Sequence, residues 1–141
     1  MSSYATQEDK LNEFEQTNIQ IVTDFYHAWP SANMEKITRY MNDTVVYTGL
    51  AHSHQSENPV LNGKQAFHDY WWSMTENLDN QTVEIIRIKA IGDTVLTERK
   101  GSVTLKGKTY YFHVGSFFYI KGGKIETFTK YLLPVSSMKA H

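Results

Sequence analysis

The stretch that most limits how this chain can fold is residues 82–133, where four β-prone segments alternate with three short breaks that carry glycine. Gly92-Asp93 forms the first break, Lys106-Gly107-Lys108 the second and Lys121-Gly122-Gly123-Lys124 the third. Glycine supplies the positive φ that tight hairpins require, so each break reads as a turn. The segments between them are rich in Val, Ile, Thr, Tyr and Phe, as over residues 109–120, and suit a pleated surface. An antiparallel meander of four strands is therefore predicted. The upstream chain must supply whatever covers one face of it.

That upstream part reads mainly as helix. Leu11, Phe14, Ile21, Val22, Phe25, Tyr26 and Trp29 recur every three or four residues, the period of an amphipathic helix over residues 7–29. Thr6 is its expected cap, Glu8 and Asp9 suit its first turn, and Pro30 ends it. Ser31 and Asn33 offer caps for a shorter helix through Met34, Ile37, Tyr40 and Met41. Residues 44–47 read as a strand that Gly49 closes or bends, and residues 50–62 as a long polar loop holding His52, His54 and Pro59. After Asn62-Gly63 a third helix runs to about Leu78, with Phe67, Tyr70, Trp71, Met74 and Leu78 as its buried stripe. The order α-α-β-α-β-β-β-β gives an α+β chain. A long twisted sheet wrapped around the helices makes a conical barrel, mainly antiparallel, with a closed end and an open mouth suited to a small molecule.

With 141 residues the chain suffices for one domain, 1–141, with residues 1–6 and 136–141 as flexible ends. Fourteen basic and fifteen acidic side chains leave a charge of −1 with no basic run, which gives no electrostatic footprint for nucleic acid. No apolar run approaches the roughly 18 residues of a membrane span. Met1-Ser2-Ser3-Tyr4 lacks a signal peptide's pattern, so a cytoplasmic location is expected. The absence of cysteine removes disulfides, thiolate nucleophiles and cysteine-based zinc sites.

Alternation then sorts the strands into faces. Val95, Thr97, Arg99, Gly101, Val103 and Leu105 share the apolar side of their strand, while Leu96, Glu98, Lys100, Ser102 and Thr104 share the other. Glu126, Phe128, Lys130 and Leu132 share a face of the last strand. The strand between them is aromatic on both faces: Tyr110, Phe112 and Phe118 lie on one, Tyr111, Phe117 and Tyr119 on the other. A second copy of the chain on the outer face is the simplest account, so a homodimer is expected. Arg99 and Lys130 fall among apolar neighbours, where cations are rare unless paired or used. In one reading Arg99 pairs with a helix carboxylate such as Asp24 while Lys130 extends to the cone mouth. In the other, both enter a pocket and favour a carboxylate, phenolate or enolate ligand, and burial beside Arg99 lowers the Lys130 pKa enough for an amine base or nucleophile.

Several motifs carry a family likeness in order and spacing: Ile21-Val22-x-x-Phe25, Asp43-Thr44-x-x-Tyr47, Gly63-Lys64-x-Ala66, Val95-Leu96-Thr97-Glu98-Arg99, and Gly123-Lys124-Ile125 followed by Tyr131. Over residues 18–132 the chain resembles the SnoaL-like and limonene-epoxide-hydrolase-like branch of the nuclear transport factor 2-like (ketosteroid isomerase-like) superfamily. The resemblance implies a conical α+β barrel with an apolar cavity, commonly dimeric through the outer sheet face. It also implies a pocket wall of Tyr26, Trp29, Tyr47, Met74, Leu78, Val83, Val103, Phe112, Val114 and Leu132, each of which is equally a candidate for ordinary core. Such a wall suits a flat or cyclic apolar ligand. The epoxide hydrolases use an Asp-Arg-Asp set with a Tyr and an Asn. Here the Tyr matches Tyr47 and the Arg matches Arg99, but Gly49 stands at the Asn position, and Gly101 and Lys130 at the two Asp positions. With both carboxylates gone, hydrolysis of that type is disfavoured. The loop over residues 50–62 is also longer than the family's usual one.

The remaining signals are weaker. His52-x-His54, with His68, lacks a fixed third metal ligand, so neither a metal nor another cofactor is expected. His113 falls on the outer face, and His27 on a partly exposed helix position. The favoured function is an enzyme of isomerase, cyclase, lyase or hydrolase type acting on a small cyclic or polyketide-like carbonyl compound. Tyr47 and Arg99 would stabilise developing oxyanion charge in it, and Lys130 would move a proton or act as an amine that forms an imine. The alternatives are a dimer that binds a small aromatic or anionic molecule without turnover, and a structural dimer whose cavity its own side chains fill.

Overall fold

Turn chemistry fixes the strand pairing. The computed structural model describes residues 11–50 and 59–133. The meander consists of β3 (Asn80–Ile91), β4 (Thr94–Leu105), β5 (Lys108–Lys121) and β6 (Lys124–Leu132). Lys106 and Gly107 have φ of 52° and 79°, and Gly122 and Gly123 have 62° and 79°. Positive φ at both central residues is the hairpin geometry whose twist matches the flanking strands. β1 (Met41–Leu50) lies parallel to β6, and β2 (Val60–Asn62) pairs antiparallel with β1 at the edge. The six strands run in the order β2-β1-β6-β5-β4-β3, a curved, mostly antiparallel sheet.

Three helices, α1 (Glu13–Ala28), α2 (Met34–Thr38) and α3 (Lys64–Thr75), pack against the concave face, and a 3₁₀ turn at Trp29–Ser31 follows α1. The expected cap Thr6 and the first-turn acids Glu8 and Asp9 lie outside the described residues, as do both chain ends. Among the described residues the first helix begins later than predicted. Asn12 Oδ1 accepts from the Glu15 amide at 2.7 Å, and Glu15 Oε1 accepts from the Asn12 amide at 3.2 Å. This reciprocal pair satisfies two amides that the helix itself leaves free, which is why the helix starts there. Three further boundaries differ. β1 is longer than residues 44–47 because parallel pairing to β6 extends it, Met41 opens that strand rather than lying on α2, and α3 ends before Leu78. The predicted loop over residues 50–62 contains β2. No helix among the described residues is long and apolar enough to cross a membrane.

The core sits at the closed end of the cone. Phe25, fully buried, meets Tyr26, Trp29, Phe118 and Phe128 with ring centroids 5.4–5.8 Å apart. Phe118 and Phe128 are cross-strand partners and stack at 4.5 Å. Each such ring stabilises the fold by about 1.5–3 kcal/mol through apolar burial. On the convex face Phe117, Tyr119 and Tyr131 are exposed, and Glu98 joins Arg87 and His113 at 2.6 Å each. The His113 hydrogen bond first, and then Arg87, hold the Glu98 carboxyl below its usual range. His113 thus lies on the outer face, as alternation predicts.

Candidate functional site

The open end of the cone holds a cavity of about 500 Å³, within the range of small-molecule sites. α3 presents Tyr70, Trp71, Met74 and Thr75 to it, because positions three and four apart share one helix face. Leu78 follows them, and Trp29 comes from the 3₁₀ turn. From the sheet come Gln81 on β3, Arg99 and Val103 on β4, Phe112 and Val114 on β5, and Lys130 and Leu132 on β6. Tyr47, Gly49 and Leu50 of β1 complete the wall with Pro59.

The three polar residues singled out in the sequence, Tyr47, Arg99 and Lys130, all border this space. Of the predicted wall, Trp29, Met74, Leu78, Val103, Phe112, Val114 and Leu132 do as well. Two do not. Val83 lies opposite Gly101 and packs against the core, while Tyr26 lies beneath the cavity in a narrow recess shared with Trp29, Trp71, Arg99, Phe128 and Lys130. The Tyr26 hydroxyl is engaged there, donating to Ser116 Oγ at 3.0 Å. Trp71, Tyr70 and Gln81 were not among the predicted wall residues. The helical stripe already carried Tyr70 and Trp71, and the β3 alternation shared with Val83 carried Gln81. Thr82 and Ser102 border the cavity too, although alternation assigns Ser102 to the other face; their hydroxyls meet at 2.6 Å across the strands.

Arg99 is buried, only 6% exposed. The expected partner Asp24 does not reach it: Asp24 accepts instead from Gln20 Nε2 at 2.7 Å, one turn back on α1. The Arg99 guanidinium lies over the Tyr26 ring at 5.1 Å, and its Nε has no hydrogen-bond partner among the described residues. Lys130 Nζ lies 4.6 Å from the centre of the Trp71 ring, whose own buried indole N–H also lacks a partner. No Asp, Glu or His lines the cavity among the described residues. Among the described residues, two cationic side chains therefore share an aromatic chamber that no acidic side chain lines.

Burial, and then repulsion from Arg99, lower the Lys130 pKa from 10.5 to about 7. Burial acts on Tyr47 in the opposite sense. It pushes the phenol well above its ordinary value, Tyr70 adds to the rise and Arg99 partly offsets it. Tyr47 is thus a proton donor at neutral pH and Lys130 is the group that can exchange one. His68, the third member of the imagined metal set, is bound to Glu35 and Asp69 at 3.0 Å each, and His52 and His54 lie outside the described residues. No cluster of three metal-ligating side chains occurs among the described residues.

Gly49 and Gly101 are built into this arrangement. A Cβ on Gly49 would stand 2.8 Å from the Tyr47 hydroxyl. One on Gly101 would stand 2.8 Å from the Thr82 carbonyl oxygen and 2.9 Å from Arg99 Nη1. Tyr47 and Arg99 thus fill the space that side chains at these two positions would need.

Residues 22–128 match the family model described as a SnoaL-like domain. No curated protein matches the chain. Among solved structures the chain is similar to an LEH-like epoxide hydrolase of M. tuberculosis, with 22% identity, 84% of each chain covered and a TM-score of 0.71. It is similar to a protein of Xanthomonas campestris pv. campestris described as a polyketide cyclase, at 19% identity, covering 89% of this chain and 96% of that one with a TM-score of 0.72. It is also similar to TerC, crystallised with polyporic acid, at 16% identity and a TM-score of 0.72, covering 86% of this chain and 95% of that one.

Proposed function

The chain belongs to the SnoaL-like domain family, and on that premise we propose that it is an enzyme acting on a small cyclic or polyketide-like carbonyl compound that binds as an anion. The observation that carries this reading is the pair Arg99 and Lys130 on an aromatic cavity that no carboxylate lines among the described residues. A flat substrate stacks among Trp29, Trp71 and Phe112, and its oxyanion or enolate faces the Arg99 guanidinium and the Tyr47 hydroxyl. Both side chains are already buried in the free protein, and donors that need little reorganisation favour charge that develops in the transition state. Lys130, with a pKa of about 7, takes and returns the proton, since a base tuned near the working pH exchanges it most effectively. TerC, crystallised with polyporic acid, is consistent with an acidic ligand in this fold. Epoxide opening of the limonene type is not proposed, because Gly101 and Lys130 replace both carboxylates. A second copy of the chain covers the outer sheet face, where Phe117 and Tyr131 meet at 5.6 Å and remain exposed.

That no carboxylate or imidazole among the described residues lines the cavity favours one alternative, a binding protein without turnover. The test uses a cyclic 1,3-diketone and a panel of phenolic ketones, with proton–deuterium exchange at the carbon beside the carbonyl followed by NMR. Exchange that K130M abolishes, with binding retained, supports the enzyme. Saturable binding without exchange supports the alternative. Sedimentation velocity of the parent and of Phe117→Arg tests the dimer: a monomeric parent refutes it.

A further inference from the structure

Arg99 and Lys130 flank one strand. Arg99 on β4 pairs with Val114 of β5, and Lys130 on β6 pairs with Ser116, two residues further along β5. Both side chains enter the same recess, between Tyr26 below and Trp71 above. The Lys130 amine makes no hydrogen bond or ion pair among the described residues and lies over the Trp71 ring, 4.6 Å from its centre. In its neutral form such an amine, which lines the cavity, has a lone pair that no described hydrogen-bond donor engages. Among the described residues no carboxylate or imidazole lines the cavity beside it to share the work of a base.

We propose that Lys130 captures an aromatic oxo acid as an iminium, with the substrate's carboxylate held by Arg99 and its ring on the cavity's aromatic wall. This rests on the assignment of the cavity as an anion-binding site and adds a covalent step to it. The neutral amine forms a C–N bond to the carbonyl carbon. One proton from nitrogen and one from solvent end on the carbonyl oxygen, which leaves as water. The iminium keeps the second N–H, and nothing is oxidised or reduced. Its positive nitrogen then accepts electrons from an adjacent C–H or C–C bond, which is the purpose of lysine imines in general. Burial and Arg99 hold the amine at about 7, so part of it is neutral at neutral pH. Among the described residues, the other charged or titratable side chains around it are Arg99 on β4 and the phenols Tyr26 on α1, Tyr47 on β1 and Tyr70 on α3.

The test incubates the full chain with phenylpyruvate or benzoylacetate and sodium cyanoborohydride, then maps the reduced adduct by peptide mass spectrometry. One adduct at Lys130 is expected, absent from K130M and from K130R, which keeps the charge and guards against a folding artefact. R99Q should trap at least tenfold less. Acetophenone, which has the ring and ketone but no acid, should also trap at least tenfold less. Labelling spread over surface lysines and unchanged in K130M overturns the inference, as does equal trapping of acetophenone. Calorimetric titration with phenylpyruvate separates the two levels. Saturable binding that R99Q loses, without any adduct, removes the covalent step and leaves the anion site standing. Neither binding nor adduct removes both.

Discussion

Replacing Lys130 with Met should make the protein more stable, and by an amount that depends on pH. The amine is protonated in the unfolded chain up to about 10.5 but in the folded chain only up to about 7. The unfolded state therefore binds more protons between these values, and parent stability rises with pH across that window. The difference between 10.5 and about 7, at 1.36 kcal/mol for each pH unit, is about 5 kcal/mol of strain in full force below pH 7. Met is close to Lys in shape and carries no charge, so it removes this penalty. It also removes the contact with the Trp71 ring at 4.6 Å, worth about 0.5–2 kcal/mol. Water entering the open cavity screens part of the remainder. We expect K130M to exceed the parent by about 2–4 kcal/mol near pH 6. Near pH 9 only about 1.5 of the original pH units remain, and the advantage should fall by more than half. Urea unfolding of both proteins at the two pH values measures this directly. A K130M protein that is less stable near pH 6, or an advantage that does not change with pH, refutes the burial of an uncompensated amine.

Three other outcomes follow from single contacts. Gly101→Ala should destabilise by about 1–3 kcal/mol, because its Cβ meets the backbone carbonyl of Thr82 at 2.8 Å and that carbonyl belongs to the sheet; an unchanged melting midpoint would show that β3 yields freely. Tyr26→Phe should lose about 1–2 kcal/mol by leaving buried Ser116 without its 3.0 Å donor, as denaturant titration would show. His68→Gln should weaken the fold more near pH 5 than near pH 8. The hydrogen bond to Asp69 first, and then Glu35, raise the His68 pKa, so its stabilisation is present below the ordinary value and is lost as pH rises through the raised one. Equal losses at both pH values would mean that the ring acts only by packing.

The meander was the most legible part of the chain because local chemistry specifies it. Lys106-Gly107 and Gly122-Gly123 encode their own turn conformations, and strand alternation needs no knowledge of the partner strand. Helix ends and β1 were less legible for opposite reasons. Asn12 and Glu15 cap α1 by a reciprocal contact in which many Asn, Ser or Thr candidates compete. β1 reaches Leu50 because β6, some 80 residues away, offers it a parallel edge. No window around residues 44–50 contains that information. Val60–Asn62 is strand for the same reason, since it pairs with β1.

In the site, alternation placed Arg99 and Lys130 on the inner face, but it could not say what they meet there. The sequence contains fifteen acidic residues, any of which is a conceivable partner for a buried guanidinium, and Asp24 on the facing helix is a reasonable candidate. The register of α1 decides otherwise. Tyr26, two residues on, turns its ring under Arg99 while Asp24 pairs along the helix with Gln20. The two glycines reinforce that outcome. At Gly49 and Gly101 a side chain, acidic or not, would collide with the Tyr47 hydroxyl or the Arg99 guanidinium. The packing at these two positions thus leaves no room for a carboxylate unless Tyr47 or Arg99 shifts. A buried cation beside a second cation is costly unless something anionic joins it. That cost, present in the free protein and relieved by a ligand, gives the site its preference for an anion, and it is the same quantity that the K130M experiment reads as stability.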